Sequence, residues 1–286
     1  MKLKSLSLVA LLAGSMMTVG SVSAQTAKVE FPAASPACTI KQRVGLTDIE
    51  IDYSRPGVKK RTIFGGMVPY GQVWRTGANQ ATKVTFSTAV KLNGANVPAG
   101  TYALFTIPGE DEWTIIINKG AAQWGAFQYN EKDDVVRFKA TPMELDFPVD
   151  AFTIEFNSIR DESAVINLIW DHTVVPINVE IELASKLVPQ IEAKMASDDK
   201  DKPYYQAALF YYDHKLDVQK ASKWVDAAIA QREAHYIVYL KAEILARLGD
   251  KEGATTAAKR SIELATQAKD TGYVKLNEDL IASLKQ

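Results

Sequence analysis

The hydrophobic period of this chain changes once, near residue 182, and that change limits what it can fold into. Upstream, apolar residues recur at every second position in short runs. At 47–53, Ile49, Ile51 and Tyr53 alternate with Asp48, Glu50 and Asp52, the pattern of a half-buried strand. Comparable runs fall at 38–44, 83–86, 90–92, 101–107, 113–118, 135–140, 151–156, 164–170 and 174–181. The turns between them carry the residues that reverse a chain: Asn93-Gly94, Pro98-Ala99-Gly100, Pro108-Gly109 and Lys119-Gly120. Many short strands with no long helical period predict an antiparallel, jelly-roll-like β-sandwich over 25–182.

Downstream, apolar residues fall at three-to-four spacing, glycine is rare, and proline appears only at 189 and 203. This predicts helices at 183–197, 203–214, 217–231, 234–248, 251–268 and 273–284, an all-α module over 183–286. Asp217 and Asp250 stand where N-terminal caps are needed, and Gly249 where a helix commonly ends. Ala221, Val225 and Ala228 match Ala254, Ala258 and Ser261 at an offset of 33 residues. Small residues at that period suit a tetratricopeptide-like repeat. Two repeats are fewer than a free-standing solenoid requires, so support from the sandwich is expected.

The first 24 residues read as a cleavable signal peptide. Lys2 and Lys4 precede an uncharged apolar run, and Val22-Ser23-Ala24 offers small residues before a cut ahead of Gln25. Residues 12–15 resemble a lipoprotein box, but Ser15 occupies the position of the lipidated cysteine. The expectation is a periplasmic or secreted protein with no membrane anchor. Removing the leader takes the formal net charge from -1 to -3, which gives no reason to expect nucleic acid as a partner. Cys38 is the only cysteine, so it has no internal disulfide partner and reads as a small buried strand residue. No Cys/His spacing suits a metal, and no cofactor is implied.

No histidine pair, nucleophile elbow or metalloprotease helix motif is present. His172 follows Asp171 at an expected strand turn and reads as a hydrogen-bonding surface residue. Charge distribution is more informative. No acid occurs between Asp52 and Glu110, where average acid content would place about seven, while Arg55, Lys59, Lys60, Arg61, Arg75, Lys83 and Lys91 accumulate there. The next stretch, 110–150, is acid-rich. Within the basic stretch, Trp74, Arg75, Thr76 and Asn79 form the sharpest candidate for a ligand site. Arginine offers a planar donor fork, tryptophan a stacking face, and Gly77 permits close backbone approach. Arg55, Arg61 and Lys119 are further candidate ligand contacts. The competing expectation is that Arg75 is buried and ties loop carbonyls or an acid in place.

The segments YSRP (53–56), RTIFGG (61–66), VPYG (68–71), WRTGANQAT (74–82), PAGTYALF (98–105), INK (117–119) and WG (124–125) resemble, in this order, the bacterial family called domain of unknown function 2911. The resemblance covers roughly 35–182. It implies secreted or periplasmic proteins, often with a tetratricopeptide-like tail, and no established activity or catalytic residue. The leading expectation is therefore binding: a small anionic or carbohydrate-like ligand at the sandwich loops, a protein partner at 183–286, or both. The alternatives are an envelope hydrolase using acids of the 110–150 region on a glycan-like substrate, and a structural envelope component.

Overall fold

The computed structural model describes residues 30–285, so the signal segment expected at 1–24 lies outside the described residues. Among the described residues, ten strands form two antiparallel sheets. The six-stranded sheet runs in the order β1 (Ala37–Val44), β2 (Thr47–Ser54), β3 (Thr82–Phe86), β6 (Gly100–Ile107), β7 (Trp113–Asn118) and β8 (Asp134–Ala140). The four-stranded sheet is ordered β5 (Ala95–Val97), β4 (Val90–Leu92), β10 (Ser163–Glu180) and β9 (Met143–Asn157). The alternation read at 47–53 is the alternation of burial along β2: Ile49, Ile51 and Tyr53 point inward. They share one core with Val84 and Phe86 of β3, Phe152 and Ile154 of β9, and Ile166, Leu168 and Trp170 of β10. Each such side chain contributes about 1.5–3 kcal/mol on burial, so this shared face is what joins the sheets.

Aromatic rings fill the middle of that core. Trp74 stacks on Trp170 with centroids 5.9 Å apart and 15° between planes, and Phe64, Trp113 and Phe152 meet them edge-on. A smaller cluster lies on the opposite side of the six-stranded sheet. There Ala103 and Phe105 of β6, Ile116 of β7 and Ala81 are covered by Ala126 and Tyr129 from the β7–β8 connection. Cys38 is half-buried and packs against the main core, less enclosed than expected.

Six helices follow among the described residues: α1 (Ala184–Ala196), α2 (Tyr204–Asp213), α3 (Val218–Gln231), α4 (His235–Arg247), α5 (Lys251–Ala268) and α6 (Thr271–Leu284). Their ends follow side-chain chemistry. Asp217 accepts from Gln219 N and Lys220 N, and Asp250 from Gly253 N. Gly249 takes the left-handed φ of +84° that ends α4. The junction with the sheets is polar. Glu162, in the β9–β10 turn, accepts from Leu183 N at 3.1 Å and Ala184 N at 3.0 Å, satisfying the start of α1. Among the described residues, no helix is long and apolar enough to cross a membrane.

Candidate functional site

The 74–82 loop is wound tightly and stapled to itself. Thr76 and Asn79 hold positive φ values of 55° and 60°, and Gly77 lies at φ +148°. A Cβ on Gly77 would sit 3.0 Å from the Ser54 carbonyl oxygen, so any other residue there is crowded as well as conformationally strained. Thr76 is fully buried. Its hydroxyl donates to Thr106 Oγ1 at 3.1 Å, and its carbonyl accepts from Thr82 Oγ1 at 2.5 Å. Trp74 Nε1 donates to the Gly77 carbonyl at 3.2 Å.

Each residue singled out in the sequence now has a definite place. Trp74 is only 8% exposed, so its ring serves the core and offers no face to a ligand. The expectation of ligand stacking there is corrected by the Trp170 stack. Arg55 donates to the Phe152 carbonyl and Thr153 Oγ1, and Arg61 to the Val58 and Gly57 carbonyls. Both are used in holding the 55–61 segment. Lys119 is exposed in the turn after β7. Arg75 is half-buried, and its Nε is enclosed without a hydrogen bond. Burial pulls its guanidinium down from the usual arginine range, and among the described residues no carboxylate opposes the shift. Neither the buried ion pair nor the carbonyl tie is realised at that atom. Asn79 donates to Ser35 O and Ser54 Oγ, each at 3.2 Å.

The loop's carbonyls and amides then position a second loop. Gly125 N donates to the Asn79 carbonyl at 2.9 Å, Ala81 N to the Gln123 carbonyl at 3.0 Å, and Gln80 bridges to Trp124. The result is a groove of about 590 Å³ on the six-stranded sheet. Its polar floor comes from Thr39 of β1, Asp52 and Ser54 of β2, and Lys83 of β3. Asn79, Gln80 and Trp124 form its wall. Trp124 is 62% exposed there, a large apolar ring held open to solvent by backbone bonds on both sides. The floor is internally neutralised. Asp52 pairs with Lys83 at 2.7 Å and accepts from Thr39 Oγ1 at 2.5 Å, and these contacts draw its carboxyl below the ordinary range against an opposing effect of burial. Of the seven residues expected from sequence, Asn79 alone lines this groove.

Two cations of the acid-free stretch are neutralised by acids that lie outside it. Lys83 goes to Asp52 and Lys91 to Glu182, both acids outside the stretch. A second cleft, of about 390 Å³, lies where Glu110, Glu144 and His172 meet Tyr70 and Phe64. His172 is exposed, and its Nδ1 lies 2.8 Å from the Leu145 carbonyl. Arg75 does not line this cleft. Among the described residues, no group of three His, Cys, Asp or Glu is placed to hold a metal ion.

The sandwich-like part of the chain has a recognised family. The family described as "Protein of unknown function (DUF2911)" matches residues 35–179, just over half of the chain. The chain belongs to that family. No curated protein and no solved structure matches it. Sequence segments that carried the resemblance meet at the groove: Tyr53 and Ser54, Asn79 to Ala81, and Trp124 all line it.

Proposed function

We propose that this is an exported binding protein whose groove takes a carbohydrate-like ligand. The observation that supports this is Trp124, exposed on the wall of a groove floored by paired polar groups. A pyranose ring presents an apolar face to stack on indole and hydroxyls to meet amide and hydroxyl partners such as Asn79, Gln80 and Ser54. A small anion is less suited, because Lys83 is already paired and Arg55, Arg61 and Lys119 do not line the groove. Thermal shift against a panel of neutral oligosaccharides tests the reading. At least one should stabilise the wild type, and Trp124→Ala should remove that stabilisation while leaving the unliganded melting temperature nearly unchanged. Stabilisation of both forms alike, or of neither, removes the proposal.

The finer architecture belongs with this reading. The sheets are proposed to be jelly-roll-like, and α2–α3 and α4–α5 to be tetratricopeptide-like pairs. Burial supports the pairing: Ala221, Val225 and Ala228 of α3 and Ala254, Ala258 and Ser261 of α5, 33 residues on, are all inaccessible. The helical module is proposed to hold a protein partner. Pull-downs from envelope extract with the whole chain and a tail-deleted form should differ in what they capture; identical sets sink that half. A periplasmic or secreted location follows from the leader and is checked by fractionation.

A hydrolytic alternative rests on the second cleft, because Glu110 and Glu144, both from the acid-rich stretch, line it together with His172. Turnover of chromogenic glycosides that is lost in Glu144→Gln would favour it. Turnover that is absent, or the same in both forms, would leave binding.

A further inference from the structure

Aromatic side chains cross the helical module in an unbroken line. Tyr205 of α2 meets Tyr236 of α4 with ring centroids 5.0 Å apart. Tyr236 meets His235 at 5.6 Å, His235 meets Tyr273 of α6 at 4.8 Å, and Tyr273 returns to Tyr239 of α4 at 5.6 Å. All five rings are half-buried, so each keeps part of its surface in water. The band therefore joins alternate helices, α2, α4 and α6, and helix packing distances make it about 20 Å wide.

One turn beyond Tyr239, Glu243 stands on the same line of α4. Among the described residues it belongs to no ion pair; Lys241, two residues away, is taken by Asp226. Burial holds the Glu243 carboxyl above its ordinary range, and the Tyr239 phenol and the Arg247 charge oppose that only in part. Asp213, at the end of α2, is raised too, by burial and by Asp161 from the β9–β10 turn, with His214 and Arg247 opposing only in part. The face thus combines π surfaces with carboxylates that lack a full counter-charge. It already accepts one cation of its own: the Arg247 guanidinium lies 3.5 Å over the Tyr212 ring and donates to the Tyr212 carbonyl.

We propose that this face binds an extended arginine- or lysine-bearing segment of a partner protein, its cations stacked on the tyrosines and paired with Glu243. The width of the band matches several residues of extended chain at about 3.3 Å each, more than a single amine would cover. The inference rests on the reading that the helical module holds a protein partner and is independent of the groove.

The test uses the whole mature chain and a fluorescent peptide of alternating arginine and serine, with its citrulline counterpart as the neutral control. The arginine peptide should bind saturably, the citrulline peptide about tenfold more weakly. Tyr239→Ala and Glu243→Gln should each weaken the arginine peptide by about tenfold, while Glu252→Gln, an exposed acid on α5, should not. Glu243→Gln preserves shape and removes only charge, so it decides the matter if Tyr239→Ala fails to fold. Equal binding of both peptides, wild-type affinity in Glu243→Gln, or no saturable binding at millimolar peptide overturns the proposal. A pull-down that still depends on the tail would then leave a protein partner in place and remove only its cationic character.

Discussion

Arg75 illustrates how a residue can be prominent in a sequence and yet be placed unexpectedly. A half-buried guanidinium with an enclosed, unbonded Nε costs desolvation and receives nothing back at that atom. Arg75→Met keeps most of the side-chain volume and removes that cost. Its stability in denaturant should stay within about 1 kcal/mol of wild type, or rise. A loss of about 3 kcal/mol or more would show that the guanidinium is paired in solution. The tryptophans teach a related lesson. Trp74 and Trp124 both sit beside glycine-containing loops, and nothing in their immediate sequence separates the core ring from the exposed one. The difference arises from Trp74 bridging to Thr106 in the sheet, a partner 32 positions away, whereas Trp124 bridges to Gln80 in a loop. Gly125 takes φ +66° and Gly77 φ +148°, so a glycine in left-handed backbone accompanies the exposed ring and the buried one alike.

At the scale of elements, regular segments were legible and interruptions were not. Helix ends were read from Asp217, Asp250 and Gly249 because caps are local chemistry. The runs at 164–170 and 174–181 are one strand, β10, with register shifts between Ile169 and Thr173 and a positive φ of 54° at Asp171. A bulge of this kind is indistinguishable from a turn in sequence, since both need a polar residue that tolerates left-handed backbone. The front of β9 is not legible in sequence because Pro148 and alternating acids argue against a strand; they are tolerated because β9 is an edge strand. β5 is not legible either, because three residues after Asn93-Gly94 carry too little pattern. Helix α4 carries a pH signature. Folding raises Glu243 above its unfolded value, so its contribution is fully favourable below the unfolded carboxylate pKa of about 4.3 and is lost as pH rises through the folded value. Glu243→Gln should therefore stabilise the chain at pH 7 by on the order of 1 kcal/mol, allowing for screening at its exposed edge, and the gain should vanish on acidification to about pH 4. Equal stability of the two forms at pH 7 would contradict a desolvated carboxylate.

For the whole molecule, the division into sheets and helices is also a division of cores. The main apolar cluster draws on residues up to Ile181, and the helical clusters begin at Val188. Between them the clearest contacts are polar: Glu162 caps α1 and approaches His214 Nδ1 at 3.8 Å. Calorimetry should accordingly resolve two transitions, and Glu162→Ala should widen the interval between them by loosening what the parts share. A single sharp transition unaffected by Glu162→Ala would mean that the two cores unfold as one. The period change near residue 182 announced this division, because each period buries its own face; the polar character of the junction was not legible, since it depends on a turn meeting a helix start some 20 residues later.

The exposure of Trp124 has an optical consequence. Of the five tryptophans, Trp74, Trp113 and Trp170 are shut inside the sheets and Trp224 is half-buried, so Trp124 is the indole most open to a dissolved quencher. Iodide or acrylamide should extinguish its red-shifted emission first. Any molecule lying in the groove must cover that ring, and the protein therefore carries its own unlabelled reporter of occupancy.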